Sequence, residues 1–473
     1  MERLSGQDSS FLALETPTTH MHIGWAAVLD PQGRPPPTER DLVELVTQRI
    51  GRMPAFRRRL ARARLGLAQP DWLDADVDPA HHVTLHDTTD LARLCGDLLS
   101  VPLDRTRPLW ELHLARLPHG RAGLVMKLHH AIVDGPSGAE LMVALLDLEP
   151  EPEPARVVSL PSTSDDRALG PGSQWPTTLR RLARGPRRAA VDVRRAAQVS
   201  RALRRWDDTH PGQRPPAPFT APWTAINGRI TAHRSVAFTS VSLDDVHRLR
   251  ATAGATVNDL ALALVGGALR RWLAGRGELP HRSLVAMVPV SVRSGDDAPG
   301  GNRTSALLTT LATDCADGAT RLERVARITG AAKRRHDEAG VGELVRLADL
   351  VPPGPNAWLA RRGSSRPLSR QASLPFNVVV SNVPGPDTPF YCCRALLEEA
   401  YPMGPLTAWT GLNVTVLSYR DRLSFGLVTC PDVVDDVDGI VAAFAEELDD
   451  LDRVAAAGKA RAASTAAGKA RAT

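Results

Sequence analysis

Between residues 150 and 222 the chain stops reading as regular structure, and that break constrains its fold more than any other feature. Pro150, Pro152, Pro154, Pro161 and Pro171 interrupt helix and strand alike, because proline lacks the main-chain donor that both ladders need. A basic, helix-like stretch with ten arginines follows at 178–206, and then the proline-rich run HPGQRPPAPFTAPW at 210–223. The proline-interrupted stretch from 149 to the start of the basic helix reads as an exposed, mobile connection, and 150–222 as a whole as a variable region and interdomain linker. Strand-like and helix-like segments alternate on both sides of it. The expected fold class is therefore α/β, with one half at 1–149 and another at 223–453, facing each other across a cleft where a ligand can sit. The last residues, 454–473, carry AAGKARA twice and read as a disordered tail.

In the first half, alternation predicts a strand at 21–29, and helical spacing of Leu42, Leu45, Val46 and Ile50 predicts a helix at 38–50. A second helix at 90–100 and the strand in PLDRTRPLWELHLARL lead to LVMKLHHAIVDGPSGAELMVALLDL at 124–148. That stretch is a β-prone apolar run, a short connection and then apolar residues at helical spacing. In the second half, strands are expected at 233–243, in SLVAMVPVSVR, in SALLTTLAT and at 376–380, with a hairpin turning on Arg420 and Asp421. Helices are expected at 243–253, in TVNDLALALVGGALRRWLAG, at 321–349 and at 438–451.

The chemistry lies in HHAIVDG at 129–135, on the connection between strand and helix, where a rigid scaffold can aim a side chain into a cleft. An imidazole with its ordinary pKa of roughly 6.5 takes a proton from an alcohol near neutral pH and returns it to a leaving group. His130 reads as that general base and His129 as its support. A second pair, His81 and His82, lacks the following Asp-Gly and reads as a decoy.

Other classes find little footing. There is no Walker loop, GxGxxG, GxSxG or metal-ligand spacing, and the five cysteines include no CxxC, so no metal or resident cofactor is expected. The net charge of +5 is carried almost wholly by arginine. With no nucleic-acid recognition module present, that charge supports only weak, salt-sensitive binding, and a nucleic-acid role is not expected. No secretory signal is apparent, and the longest apolar helical stretch is far short of the ~20 residues that cross a bilayer. A cytoplasmic protein is expected, with peripheral contact to a membrane or lipid-droplet surface through the basic 178–206 segment and Trp175, Trp206 and Trp223.

HHAIVDG matches the HHxxxDG signature of the CoA-dependent acyltransferase superfamily. The ordered set LSGQDSSFLALE, THMHIG, WLDADVDPAHHV, RPLWELHLARL, VNDLALALVGGALRRWL, VPVSVR, GNR, SNVPGP and SYRDRLSFGLVTCPDVVDD resembles the bacterial wax ester synthase/diacylglycerol acyltransferase family from about residue 3 to 451. The resemblance implies two chloramphenicol-acetyltransferase-like domains with mixed sheets and an active-site tunnel at their interface. It also implies acyl-CoA as co-substrate, a diacylglycerol or fatty alcohol as acceptor, and direct transfer without a covalent acyl-enzyme. Asp134 is structural in that pattern, and a buried carboxylate needs a partner, for which Arg293 of VPVSVR is the candidate. Gly135 relieves backbone strain beside it. Asn258 and Asp259 read equally as a helix cap or as site-shaping residues. Ser381 and Asn382 end a strand and are candidate donors to the developing oxyanion. Two alternatives stay open at this stage: acylation of a specialised lipid or natural-product alcohol, and a lipid-binding protein without catalysis.

Overall fold

The computed structural model describes residues 2–4, 6–61, 71–132, 142–152, 194–195, 197–252, 254–291, 304–339 and 373–470. In chain order the elements of the first half are β1 (Glu2–Arg3), α1 (Gly6–Leu14), β2 (His22–Asp30), α2 (Glu39–Arg49), β3 (Arg58–Leu60), β4 (Asp71–Asp74), β5 (Val83–Asp87), α3 (Leu91–Leu99), β6 (Trp110–Arg116) and β7 (Ala122–His129). The second half contains β8 (Ser235–Ser242), α4 (Leu243–Thr252), α5 (Val257–Gly275), β9 (Val285–Ser291), β10 (Thr304–Thr310), α6 (Gly318–Glu338), β11 (Val378–Val383), β12 (Tyr391–Cys392), β13 (Ala395–Met403), β14 (Leu412–Tyr419), β15 (Arg422–Thr429) and α7 (Val437–Ala470).

Two six-stranded mixed sheets carry the fold, in the orders β12-β13-β2-β7-β6-β5 and β10-β9-β11-β14-β15-β8. Each is mostly antiparallel: β5 runs parallel to β6, and β11 runs parallel to both β9 and β14. Strands 12 and 13 come from the C-terminal half of the sequence yet extend the N-terminal sheet, with β13 lying antiparallel to β2. The segment ALLEEAYPM reads locally as a helix former; pairing along the open edge of β2 overrides that propensity.

Capping explains where the helices start. The Thr38 side chain accepts from Asp41 N at α2, and Thr256 does the same from Asp259 N at α5, each answered by the aspartate in a reciprocal box. Helix α5 is buried almost all round, which is why its sequence is apolar on every face. It packs with Val325 of α6, Ile440 and Phe444 of α7, and Val414 and Phe425 of the second sheet. A separate core joins the halves: Leu94, Cys95 and Val125 on one side meet Ile230, Val236, Met403 and Val428 on the other. Where β13 crosses the second sheet, a Cβ on Gly426 would lie 1.7 Å from the Pro402 carbonyl oxygen, so only glycine permits the approach.

One sequence reading is corrected. Helix α7 runs on to Ala470, through the repeats read as a disordered tail, because alanine-rich sequence with lysine and arginine has high helix propensity and only isolated glycines interrupt it. In the connection, the helix expected in the basic stretch 178–206 is present at its described end. A helix at 197–209 buries Trp206, and Arg335 of α6 forks onto the Asp207 carboxylate at 2.7 and 3.0 Å. Among the described residues, no helix is long and apolar enough to cross a membrane.

Candidate active site

Strand β7 is buried along its whole length, and its last residue is His129. The chain then turns through a single 3-10 turn, His130–Ile132. Asp134 and Gly135 follow at once and lie outside the described residues, as does Arg293.

The two imidazoles have different surroundings. His129 Nδ1 accepts the Ala131 main-chain N–H at 3.0 Å, so in the neutral ring the proton sits on Nε2, which donates to Glu15 Oε2 at 3.1 Å. Both of its nitrogens are therefore engaged. Burial raises the Glu15 carboxyl, but hydrogen bonds from His129 and Arg105 outweigh this and hold it below the usual carboxylate range.

His130 instead lies flat against Phe11, with ring centroids 3.9 Å apart and planes 19° from parallel. Its Nδ1 is buried, and among the described residues it has no partner in hydrogen-bonding geometry. Burial lowers its pKa to about 4; its own main-chain carbonyl opposes the shift and neighbouring His129 adds to it. The imidazole is thereby kept neutral across the physiological range.

Segments far apart in the sequence hold this turn. The His130 N–H donates to the Met21 carbonyl at 2.9 Å, and Met21 of THMHIG reaches that position with φ of 53°, a left-handed conformation costly for a non-glycine residue. The His129 N–H donates to the Leu109 carbonyl of RPLWELHLARL at 3.0 Å. The next residue, Trp110, is stacked between Phe56 and His82, and His82 Nδ1 lies 2.8 Å from the Trp110 carbonyl oxygen. The decoy pair thus contributes a packed histidine.

On the face of the sheet that carries His129, a buried polar chain continues. Lys127 donates to Glu111 at 3.0 Å and to the Val101 carbonyl at 2.8 Å, and burial lowers its pKa. His22, directly opposite His129 on β2, is buried, and among the described residues neither ring nitrogen has a partner in hydrogen-bonding geometry. Burial, then the Lys127 charge, then His20 and His129 push it well below the ordinary imidazole value. Beside it a cavity of about 10 Å³, enough for one water, lies between the halves against His20, Leu99, Arg234 and Leu406. Arg234 joins the halves there by donating to the Thr18 carbonyl at 2.6 Å.

The remaining expected residues are placed as follows. Asp259 Oδ2 accepts from the Thr256 N–H at 3.0 Å and from its hydroxyl at 2.7 Å, which makes it a cap of α5. Its Oδ1, and Asn258 Nδ2, are buried without hydrogen-bond partners among the described residues. Ser381 and Asn382 sit half-buried at the end of β11, and among the described residues no hydrogen bond ties them to either histidine. Glu15, Phe11, Met21 and Lys127 were missed by the sequence reading. The one available signal was that Phe11 and Glu15 are four apart, on one face of a helix. Among the described residues no cluster of three His, Cys, Asp or Glu side chains could hold a metal ion.

Known proteins share this architecture. The description "Wax ester synthase/diacylglycerol acyltransferase catalytic domain" matches residues 4–261, and "WS/DGAT C-terminal domain" matches residues 300–452. The tgs2 protein of Mycobacterium tuberculosis, named "Probable diacyglycerol O-acyltransferase", is 34% identical over 468 residues, covering 96% of this chain and 99% of its own. The wax ester synthase/diacylglycerol acyltransferase from Marinobacter aquaeolei VT8 superposes with a TM-score of 0.67 at 27% identity, over 96% of this chain and 100% of that one. The first condensation domain of the calcium-dependent antibiotic synthetase, at 17% identity and a TM-score of 0.56 over 95% and 96% of the two chains, shares the fold. Matched over both halves, the chain belongs to the wax ester synthase/diacylglycerol acyltransferase family and is an acyltransferase.

Proposed function

We propose that this acyltransferase moves a long-chain acyl group from acyl-CoA to the hydroxyl of a diacylglycerol or fatty alcohol, with His130 as general base. The observation that carries the role of His130 is the contrast between neighbours: both nitrogens of His129 are committed, whereas His130 is held neutral and, among the described residues, makes no hydrogen bond through Nδ1. The substrate classes rest on the activities for which the relatives are named.

In the proposed reaction His130 takes the acceptor proton as the acceptor oxygen bonds to the thioester carbon. Collapse of the tetrahedral intermediate breaks the C–S bond, and the imidazolium returns the proton to the CoA thiolate, so protons balance without metal or resident cofactor. One positioned base supplies about 10²–10⁴-fold. Substrate placement and charge stabilisation supply the rest, with Ser381 and Asn382 the proposed oxyanion donors. The proposed role of Asp134 and Arg293 is an ion pair between the halves, with Gly135 easing the turn.

Because the acceptor is a lipid, the protein is proposed to act at the cytoplasmic face of a membrane or droplet. Arg201, Arg204 and Arg205 are exposed on the 197–209 helix, and the Phe219 side chain projects into solvent. Purified protein is incubated with palmitoyl-CoA and either a diacylglycerol or hexadecanol, and free CoA thiol is followed. Release that requires one of these acceptors supports the reading; release indifferent to either, or none at all, refutes it.

A further inference from the structure

We infer that helix α1 is a positioning element for acyl transfer, with Glu15 setting His129 and Phe11 setting His130; this rests on the reading of His130 as the base. The Glu15 N–H donates to the Phe11 carbonyl at 3.2 Å, so the helical geometry continues past Leu14 and residues 11 and 15 point the same way. One helix face therefore touches both imidazoles.

Each contact has a separate task. A base histidine is ordinarily oriented by an acceptor at its second ring nitrogen. Among the described residues His130 Nδ1 has no such partner, so packing sets the ring plane, and the near-parallel Phe11 ring is what it packs against. The Glu15 contact works one step removed. Its carboxylate accepts the His129 Nε2 proton and so fixes the tautomer in which Nδ1 accepts the Ala131 N–H. That bond closes the turn from which His130 projects. Arg105 pairs with the same Glu15 oxygen from the solvent side and holds the carboxylate in place. Oriented carboxylate–imidazole pairs of this kind typically contribute about 10–100-fold to a site's function when the imidazole is a metal ligand, and misplacement by about 1 Å costs a similar factor in catalysis.

The test compares Glu15→Gln, which keeps an acceptor at the same reach, with Glu15→Leu, which removes it, and adds Phe11→Leu. Initial rates are measured with palmitoyl-CoA and the preferred acceptor on protein shown to be folded by its melting transition. The His129 ring nitrogens are observed by ¹⁵N NMR. In Glu15→Leu, kcat is expected to fall about 10–100-fold with KM for palmitoyl-CoA within about twofold, while His129 changes from the Nε2–H tautomer to a mixture. Glu15→Gln keeps the tautomer and most of kcat, and Phe11→Leu lowers kcat without altering His129. Equal losses in the Gln and Leu variants, a wild-type kcat in Glu15→Leu, or an unchanged tautomer there would each overturn the inference. Failure of the base reading shows elsewhere, as activity retained by His130→Ala, and leaves the His129 nitrogen signals as they are.

Discussion

Ala131 donates its main-chain N–H to His129 Nδ1 at 3.0 Å, which commits the first imidazole of the pair to holding the turn that carries the second. Two adjacent, chemically identical side chains are in this way given different surroundings, by the main chain at Ala131 and by the Glu15 and Phe11 side chains of one helix face. The difference has measurable consequences.

The first concerns pH. His130 is lowered to about 4 by burial, against roughly 6.5 for a free imidazole, so it stays in its proton-accepting form well into mildly acid solution. The kcat/KM profile is expected to stay nearly flat from pH 8 down to about 5.5, where an unperturbed imidazole base would already have lost about nine-tenths of its activity. An acid limb near 6.5 would contradict the burial of this ring. Stability has the same sign: between the two values the unfolded chain binds a proton that the folded chain does not. Stability therefore falls as pH drops through that window and is unaffected by this group above it.

A second prediction concerns the helical layer of the C-terminal half. Arg321 of α6 and Glu447 of α7 form an ion pair with each residue 1% exposed. Glu447→Leu leaves Arg321 partly uncompensated inside the protein and is expected to cost about 3–5 kcal/mol in denaturant unfolding. Adding Arg321→Met should recover most of that loss, since the desolvation cost then disappears with the charge. A double variant no better than the single one would show that the pair is not what couples these helices.

At the junction of the two sheets, Gly426→Ala is expected to be among the least tolerated small substitutions. The added methyl meets the Pro402 carbonyl oxygen at 1.7 Å, and since that oxygen is main chain, β13 or β15 must shift. Soluble yield and melting temperature should both drop clearly. A variant that melts with wild type would mean that the strands separate there at little cost.

Much of this architecture was legible in the sequence. The β14–β15 hairpin about Arg420, a start of α5 at Thr256 or Asn258, which the structure resolves to Thr256, and the strand leading into the histidine pair all follow from local periodicity and capping. Strand β13 was not, because Ala-Leu-Leu-Glu-Glu-Ala favours a helix when read alone and becomes a strand only against β2. The contact between Glu15 and His129 spans 114 positions, and nothing local to either residue announces it. The left-handed Met21 is equally silent: methionine has no preference for that conformation, and the demand for it comes from the His130 N–H. Adjacent histidines and their order were visible; the partners that distinguish them belong to the fold.

The central claim is that His130, and not His129, accepts the acceptor's proton. The most direct measurement is acceptor-dependent release of CoA thiol by His130→Ala, folded as judged by its melting transition, beside wild type. The expected result is a loss of at least about 10²-fold in kcat with palmitoyl-CoA binding retained, in line with removal of a positioned base. A His130→Ala protein that turns over within a few-fold of wild type would contradict the claim and move the proton transfer to another group.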